Sequence, residues 1–153
     1  MNFGDDQEVG AALRLVVGRL ARQLRRHAVG GLTASQYSAL ATVERAGPIR
    51  LAALAEREGV SAPTLSRIVA RLEQDRYVER RADPADGRSS LMGVTAPGRA
   101  ALRKIRRERT ALLARGLASL GDDERRAVAA ALPALERLAD AVRDPAGPEL
   151  AVT

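Results

Sequence analysis

Between Tyr77 and Val94 the apolar pattern of this 153-residue chain leaves the helical period, and it returns to that period afterwards. Tyr77-Val78-Glu79-Arg80-Arg81 and Ser89-Ser90-Leu91-Met92-Gly93-Val94 read as extended runs. They flank Asp83-Pro84-Ala85-Asp86-Gly87-Arg88, which carries the Pro, Gly and Asp of a turn. The spacing predicts a hairpin with a long tip. Helical stripes lie on both sides of it, so the fold class is mainly α with one small β element.

Upstream, Val9, Leu13, Val16, Val17, Leu20 and Leu24 form a single stripe over Val9 to Ala28. Arg14, Arg19, Arg22, Arg25 and Arg26 occupy the opposite face, and Gly30-Gly31 is expected to end the helix. Thr33-Ala34-Ser35-Gln36 has the form of a capping box, followed by Tyr37, Leu40 and Val43 as a buried side and by Gly47-Pro48 as a stop. Ile49-Arg50-Leu51 is extended but too short to be assigned as a strand. Leu51 to Arg57 makes two turns with Leu51, Leu54 and Ala55 inward, and Gly59 stops it. Ser61 is then expected to cap a helix to Gln74, with Pro63 tolerated in its first turn. Leu65, Ile68, Val69 and Leu72 point inward there; Thr64, Ser66, Arg67 and Arg71 point outward. Two short helices joined across Glu58-Gly59-Val60 suggest a helix-turn-helix. Downstream of the hairpin, Thr95 caps a long helix from Ala96 to about Leu120, marked by Leu102, Ile105, Leu112, Leu113 and Leu117. Asp122-Asp123-Glu124 opens a last helix through Val128, Leu132, Leu135 and Leu138 to about Val142, placing acids at its positive end. Pro133 is expected to kink or briefly break it. Asp144 to Thr153, with Pro145, Gly147 and Pro148, is expected to be disordered.

Composition narrows the chemistry. There is no cysteine, which removes disulfides, thiolate nucleophiles, Cys–zinc sites and thiol-based sensing. His27 is the only histidine, and Phe3, Tyr37 and Tyr77 are the only aromatic residues. No phosphate loop of the G-x-x-x-x-G-K-[ST] type is present, so no reaction centre can be named: an enzyme is not expected, nor a cofactor or a metal. The acidic start, with Asp5, Asp6 and Glu8, does not resemble a signal peptide, and a soluble cytoplasmic protein is expected. Twenty-five Lys and Arg against 19 Asp and Glu leave a net charge of +6. That surplus calls for an anionic partner, nucleic acid first and an acidic membrane surface second. It is unevenly placed: Ser61 to Met92 holds six Arg and five acids, whereas Thr95 to Gly116 holds six Arg and Lys104 against Glu108 alone.

A helix-turn-helix followed by a two-stranded hairpin is a winged helix. Leu32-Thr33-Ala34-Ser35-Gln36, Leu51-Ala52-Ala53-Leu54-Ala55, Val60-Ser61-Ala62-Pro63-Thr64-Leu65-Ser66-Arg67, Asp83-Pro84-Ala85-Asp86-Gly87-Arg88 and Val94-Thr95-Ala96-Pro97-Gly98-Arg99 occur in that order. Together they resemble the MarR (multiple antibiotic resistance regulator) family across roughly Val9 to Val142. The resemblance implies a winged helix-turn-helix DNA-binding lobe over 32–94, with N-terminal (1–31) and C-terminal (95–143) dimerisation helices and a flexible tail (144–153). It implies a homodimeric transcriptional regulator, commonly a repressor, often released from DNA by a small phenolic or anionic ligand. One departure is Arg76, where the family usually has Gly.

Residue chemistry agrees with this reading. Ser61, Thr64, Ser66, Arg67 and Arg71 would line a helix that enters the major groove, where Arg pairs with the guanine edge. By resemblance, Arg88 is the wing arginine that enters the minor groove, with Asp86 orienting it. For Asp83 and Asp86 a loop-stabilising role, bonding only to backbone, stands beside that one. The amphipathic first, fifth and sixth helices should pack against their symmetry mates, so that the dimer reads an inverted repeat in double-stranded DNA with half-sites about 10 bp apart. Specific affinity would be ~10⁻⁸–10⁻¹¹ M and salt-dependent. Arg14, His27 and Tyr37 are candidate contacts for an effector. A winged-helix module that binds a protein instead of DNA is the alternative.

Overall fold

The computed structural model describes residues 5–26 and 31–143, with the backbone alone at 87, 88 and 143. Helix α1 spans Asp6–Arg26, α2 Ala34–Ala46, α3 Leu51–Glu58, α4 Ala62–Gln74, α5 Ala96–Ala118 and α6 Asp122–Arg143. Strands β1 (Ile49–Arg50), β2 (Val78–Asp83) and β3 (Asp86–Val94) form one antiparallel sheet in the order β1-β3-β2. The extended piece at Ile49 is therefore a strand: two residues suffice because Ile49 pairs with Met92 and Arg50 with Leu91 on a hairpin already formed. The chain divides into two compact units, Met1–Ala111 and Leu112–Thr153.

The helix ends follow from local chemistry. Thr33 Oγ1 accepts from the Gln36 N–H at 3.2 Å, and Gln36 Oε1 accepts from the Thr33 N–H at 2.8 Å, completing the capping box before α2. Gly59, at φ 63°, closes α3 in the left-handed conformation that lets its N–H reach the last carbonyls. At α5 the Thr95 hydroxyl accepts from the Gly98 N–H at 3.1 Å and donates to the Arg76 carbonyl at 2.6 Å. Gly98 is required there, because a Cβ would lie 2.1 Å from the Tyr77 carbonyl oxygen. Ser61 departs from expectation. It occupies the N-cap position of α4, but its hydroxyl lies 2.9 Å from Thr64 Oγ1 and caps no backbone N–H.

Two further expectations change. The hairpin tip is short, not long: β2 and β3 continue to Asp83 and Asp86, leaving Pro84 and Ala85 between them. Register accounts for this, since Ala82 faces Ser90 while Asp83 faces Asp86, so residues 87–89 bulge on β3. Helix α6 also runs through Pro133 without a break. One missing hydrogen bond is outweighed there by the Ala-rich run Ala127–Ala131, apart from Val128, and by a first turn in which Arg125 pairs with Asp122 and Arg126 with Asp123. The tail from Asp144 lies outside the described residues.

In the first unit, Leu40, Val43, Leu54, Leu65, Val69, Leu72, Val78, Met92, Leu102 and Ile105 form one core, with Tyr37, Leu51, Ile68 and Tyr77 packed on its edge. Helix α4 packs on α2 and α3. Thr42 of α2 donates to Glu58 Oε1 of α3 at 2.6 Å, and Arg45 reaches the same hydroxyl at 3.3 Å. These polar bonds tie α3 to α2 where the apolar contacts end.

The α4–β2 turn explains the departure at Arg76. Tyr77 donates to the Leu72 carbonyl at 2.8 Å and Arg76 to the Glu73 carbonyl at 2.9 Å, a Schellman closure that demands positive φ. Arg76 supplies it at φ 59°, alone among the described non-glycine residues. A side chain there costs roughly 1 kcal/mol in local strain. Arg76→Gly should therefore raise stability by no more than about 0.6 kcal/mol, after the extra unfolded-state freedom of glycine is subtracted. Urea unfolding followed by circular dichroism checks this.

Candidate nucleic-acid interface

Helix α4 buries Leu65, Val69 and Leu72, and this fixes which residues face outward. Ser61, Ser66, Arg67 and Arg71 are exposed, whereas Thr64 is half-buried and held by Ser61. The two arginines share a face but differ in freedom. Arg71 Nε lies 3.1 Å from Asp75 Oδ2, which draws it towards the helix C-terminus. Arg67 has no ion pair or hydrogen bond among the described residues, so its guanidinium is available to a partner.

The hairpin is anchored at both ends by charge. At its root, Arg80 Nε donates to Glu73 Oε1 of α4 at 2.7 Å. Near its tip, Asp83 is buried, with 6% exposure, and is the centre of a polar cluster. Its Oδ1 accepts from the Ala85 N–H at 2.9 Å. Its Oδ2 accepts from Arg50 Nε at 2.7 Å, with Arg50 Nη2 at 2.5 Å, and lies 3.1 Å from the Ser89 hydroxyl. Asp83 thus makes the backbone bond expected of a loop-stabilising residue and adds a bond to a side chain 33 positions away. The Ala85 N–H and the Arg50 guanidinium hold its carboxyl below the usual carboxylate range. Arg88 sits on β3 beside this cluster, within the 87–89 bulge; its side chain lies outside what is described. Asp86 faces Asp83 at the tip.

Pairing explains the near-balance of charge in this segment. Of its five acids, Asp75, Glu73, Glu79 and Asp83 each hold an arginine: Arg71, Arg80, Arg81 and Arg50. The acids position cations more than they cancel them.

Two of the three effector candidates fall within the described residues. Arg14 is exposed on α1, His27 lies outside the described residues, and Tyr37 is half-buried at the start of α2. The Tyr37 ring is covered by the Arg109 guanidinium, 4.0 Å from its centroid. Beside it Arg106 bonds Glu44 at 2.5 Å, which with Tyr37 raises the Arg106 pKa. Sequence reasoning missed Arg106 and Arg109; their spacing of three along α5 was the available signal. It also missed Arg50, for which a pairing across 33 residues leaves no local sign. Among the described residues no group of acidic or histidine side chains could hold a metal ion, and no helix is long and apolar enough to cross a membrane.

A three-helix core with an outward-facing α4 and a charge-anchored hairpin defines a winged helix-turn-helix. The MarR family model matches residues 32–90. An HTH-type transcriptional regulator of Mycobacterium tuberculosis is 39% identical over 121 residues, covering 78% of this chain and 85% of the relative. A second, of Mycobacterium leprae, is 38% identical with the same coverage. Among solved structures, a transcriptional regulator of Thermotoga maritima superposes with a TM-score of 0.76 at 26% identity, covering 88% of this chain and 96% of that one. Wild-type MarR of E. coli in its apo form gives 0.68 at 25% identity, covering 84% and 95%. The chain belongs to the MarR family of winged helix-turn-helix, DNA-binding transcriptional regulators, and is not an enzyme.

The depressed Asp83 pKa has a sign that can be checked. Its contribution to stability is complete above the ordinary Asp value of about 3.9 and is lost as pH falls through the lower folded value. Wild type should therefore melt above Asp83→Asn at pH 5–7, with the gap closing below about pH 4. Thermal melts across that range measure it.

Proposed function

We propose that the protein is a homodimeric, sequence-specific repressor of a nearby operon, working in the cytoplasm. The observation that carries this reading is the exposed Arg67 on the outward face of α4, without an ion pair among the described residues, in a lobe whose wing is anchored by Arg80–Glu73 and Arg50–Asp83. In it, Ser61, Ser66 and Arg67 meet base edges and phosphates in the major groove, with Thr64 supporting Ser61 and Arg71 shared with Asp75. Arg88 enters the adjoining minor groove, with Asp86 beside it. Two such lobes, one from each protomer, read an inverted repeat.

The unsatisfied apolar stripes support the dimer. Helix α1 (residues 6–26) leaves Val9, Val16, Val17 and Leu20 exposed, and α6 (residues 122–143) leaves Val128, Leu132, Leu135, Leu138 and Val142 exposed, at helical spacing. A monomer rarely exposes such stripes. The N-terminal segment (1–31), which carries α1, and the C-terminal helices (95–143) are accordingly the dimerisation elements. A small anionic or phenolic effector would meet the Tyr37 region, where Arg106 and Arg109 supply positive charge; Arg14 and His27 complete the candidate set.

Selection of genomic DNA by the purified protein, followed by footprinting, should return a palindrome upstream of an operon. Recovery of no palindrome would leave a protein-binding winged helix as the better description. Arg67→Ala should weaken operator binding about 5–100-fold and relax base preference at one position in each half-site. Leu132→Arg should convert the dimer to monomer in sedimentation and lower operator affinity about 100-fold or more, since two linked half-sites become one.

A further inference from the structure

The outer part of the wing lacks the support enjoyed by its root. Strand β1 ends at Arg50, opposite Leu91, so beyond that pair the hairpin is a two-stranded ribbon. Its ladder is irregular as well, because the register jumps between Ala82 and Asp83, from Ser90 to Asp86 on the opposite strand. A bare two-stranded ribbon is marginally stable in water. Its tip would swing, and an arginine carried on the bulge would have no fixed place relative to α4.

Asp83 removes that freedom. It binds the tip itself through the Ala85 N–H, 2.9 Å away. It binds the far end of the bulge through Ser89, whose hydroxyl is 3.1 Å from both Asp83 Oδ2 and the Asp86 carbonyl and can donate to either. It binds the body of the lobe through Arg50, the residue immediately before α3. Both sides of the bulge are thereby held to one carboxylate, and that carboxylate is held to the start of the helix-turn-helix. Arg50 is half exposed and makes no side-chain cap on α3, so this cluster is the interaction that its guanidinium serves.

We infer that Arg50 and Asp83 are positioning residues for DNA binding, an ion pair that fixes the wing bulge relative to the recognition helix. They touch no base or phosphate themselves. The inference rests on the proposal that Arg88 enters the minor groove, and the experiment separates the two.

Operator affinity is measured by fluorescence anisotropy for wild type, Arg88→Ala, Asp83→Asn, Arg50→Gln and the Asp83→Asn/Arg88→Ala double variant. Thermal melts verify that each is folded at the assay temperature. Arg50→Gln changes a half-exposed side chain and guards against loss of folding in Asp83→Asn. Each single variant should lose about 5–100-fold in affinity, and the double variant should be no weaker than Arg88→Ala alone. A second readout is the DNA. Replacing A·T by G·C in the minor groove beneath the wing should weaken wild type and leave Asp83→Asn and Arg50→Gln indifferent, while all three keep their preferences in the major groove. Unchanged affinity in Arg88→Ala would overturn the wing reading itself. A loss in Arg88→Ala with wild-type affinity in both Asp83→Asn and Arg50→Gln would overturn the positioning role. Losses that multiply in the double variant would overturn it too, since Asp83 would then act independently of Arg88.

Discussion

Burial of one face of α4 governs the rest of the lobe. Leu65, Val69 and Leu72 enter a core shared with Leu40, Leu54, Met92 and Ile105, and the apolar area they remove from water is the dominant favourable contribution to holding that helix. Because helical side chains repeat every 3.6 residues, committing those three inward turns Ser66, Arg67 and Arg71 outward with no separate interaction needed. The reading surface is a geometric consequence of the core. The same core seats the strands, through Val78 and Met92, and so sets where the wing leaves the body of the protein.

Electrostatics then refine what packing has placed. The segment from Ser61 to Met92 is almost neutral, which is unexpected for a DNA-binding surface if charge is merely summed. The structure resolves the paradox through division of labour. Glu73, Asp75, Glu79 and Asp83 hold arginines that shape or anchor the fold, and Arg67 has no ion pair among the described residues. Attraction to a polyanion is long-ranged and can come from anywhere on the surface, including the arginine-rich start of α5. Discrimination between sequences is short-ranged and needs a few cations in fixed positions. A balanced segment serves the second purpose because each acid limits where its partner can go.

Much of this organisation is written locally. The capping box at Thr33, the glycine stop at Gly59, the cap at Thr95 and the inward stripe of α4 are all legible because their partners lie within four residues. Where expectation and structure part, a non-local pairing has intervened in the sheet and a competing local interaction in the helices. The two residues of β1 are a strand only because β3 is there to pair with them. The tip is short because the ladder shifts register, which no local pattern encodes. Ser61 occupies a cap position, yet its hydroxyl is engaged by Thr64. Helix α6 survives Pro133 because helix-forming alanines on one side and charge pairs in its first turn outweigh one missing bond.

The sequence by itself determined the order of helices and hairpin, the outward face of α4, the family, and the absence of thiol chemistry. Each depends on periodicity, on short spacing or on residue type. Only the tertiary structure decided which arginines are held by acids far away in the chain. Arg71 has Asp75 four residues on, a pairing that helical spacing already offers, and the structure makes it. Arg50 carries no local mark at all, and it acquires a role because folding brings Asp83 within 2.7 Å across 33 residues. An ion pair is made by distance in space, and only the packed core sets that distance.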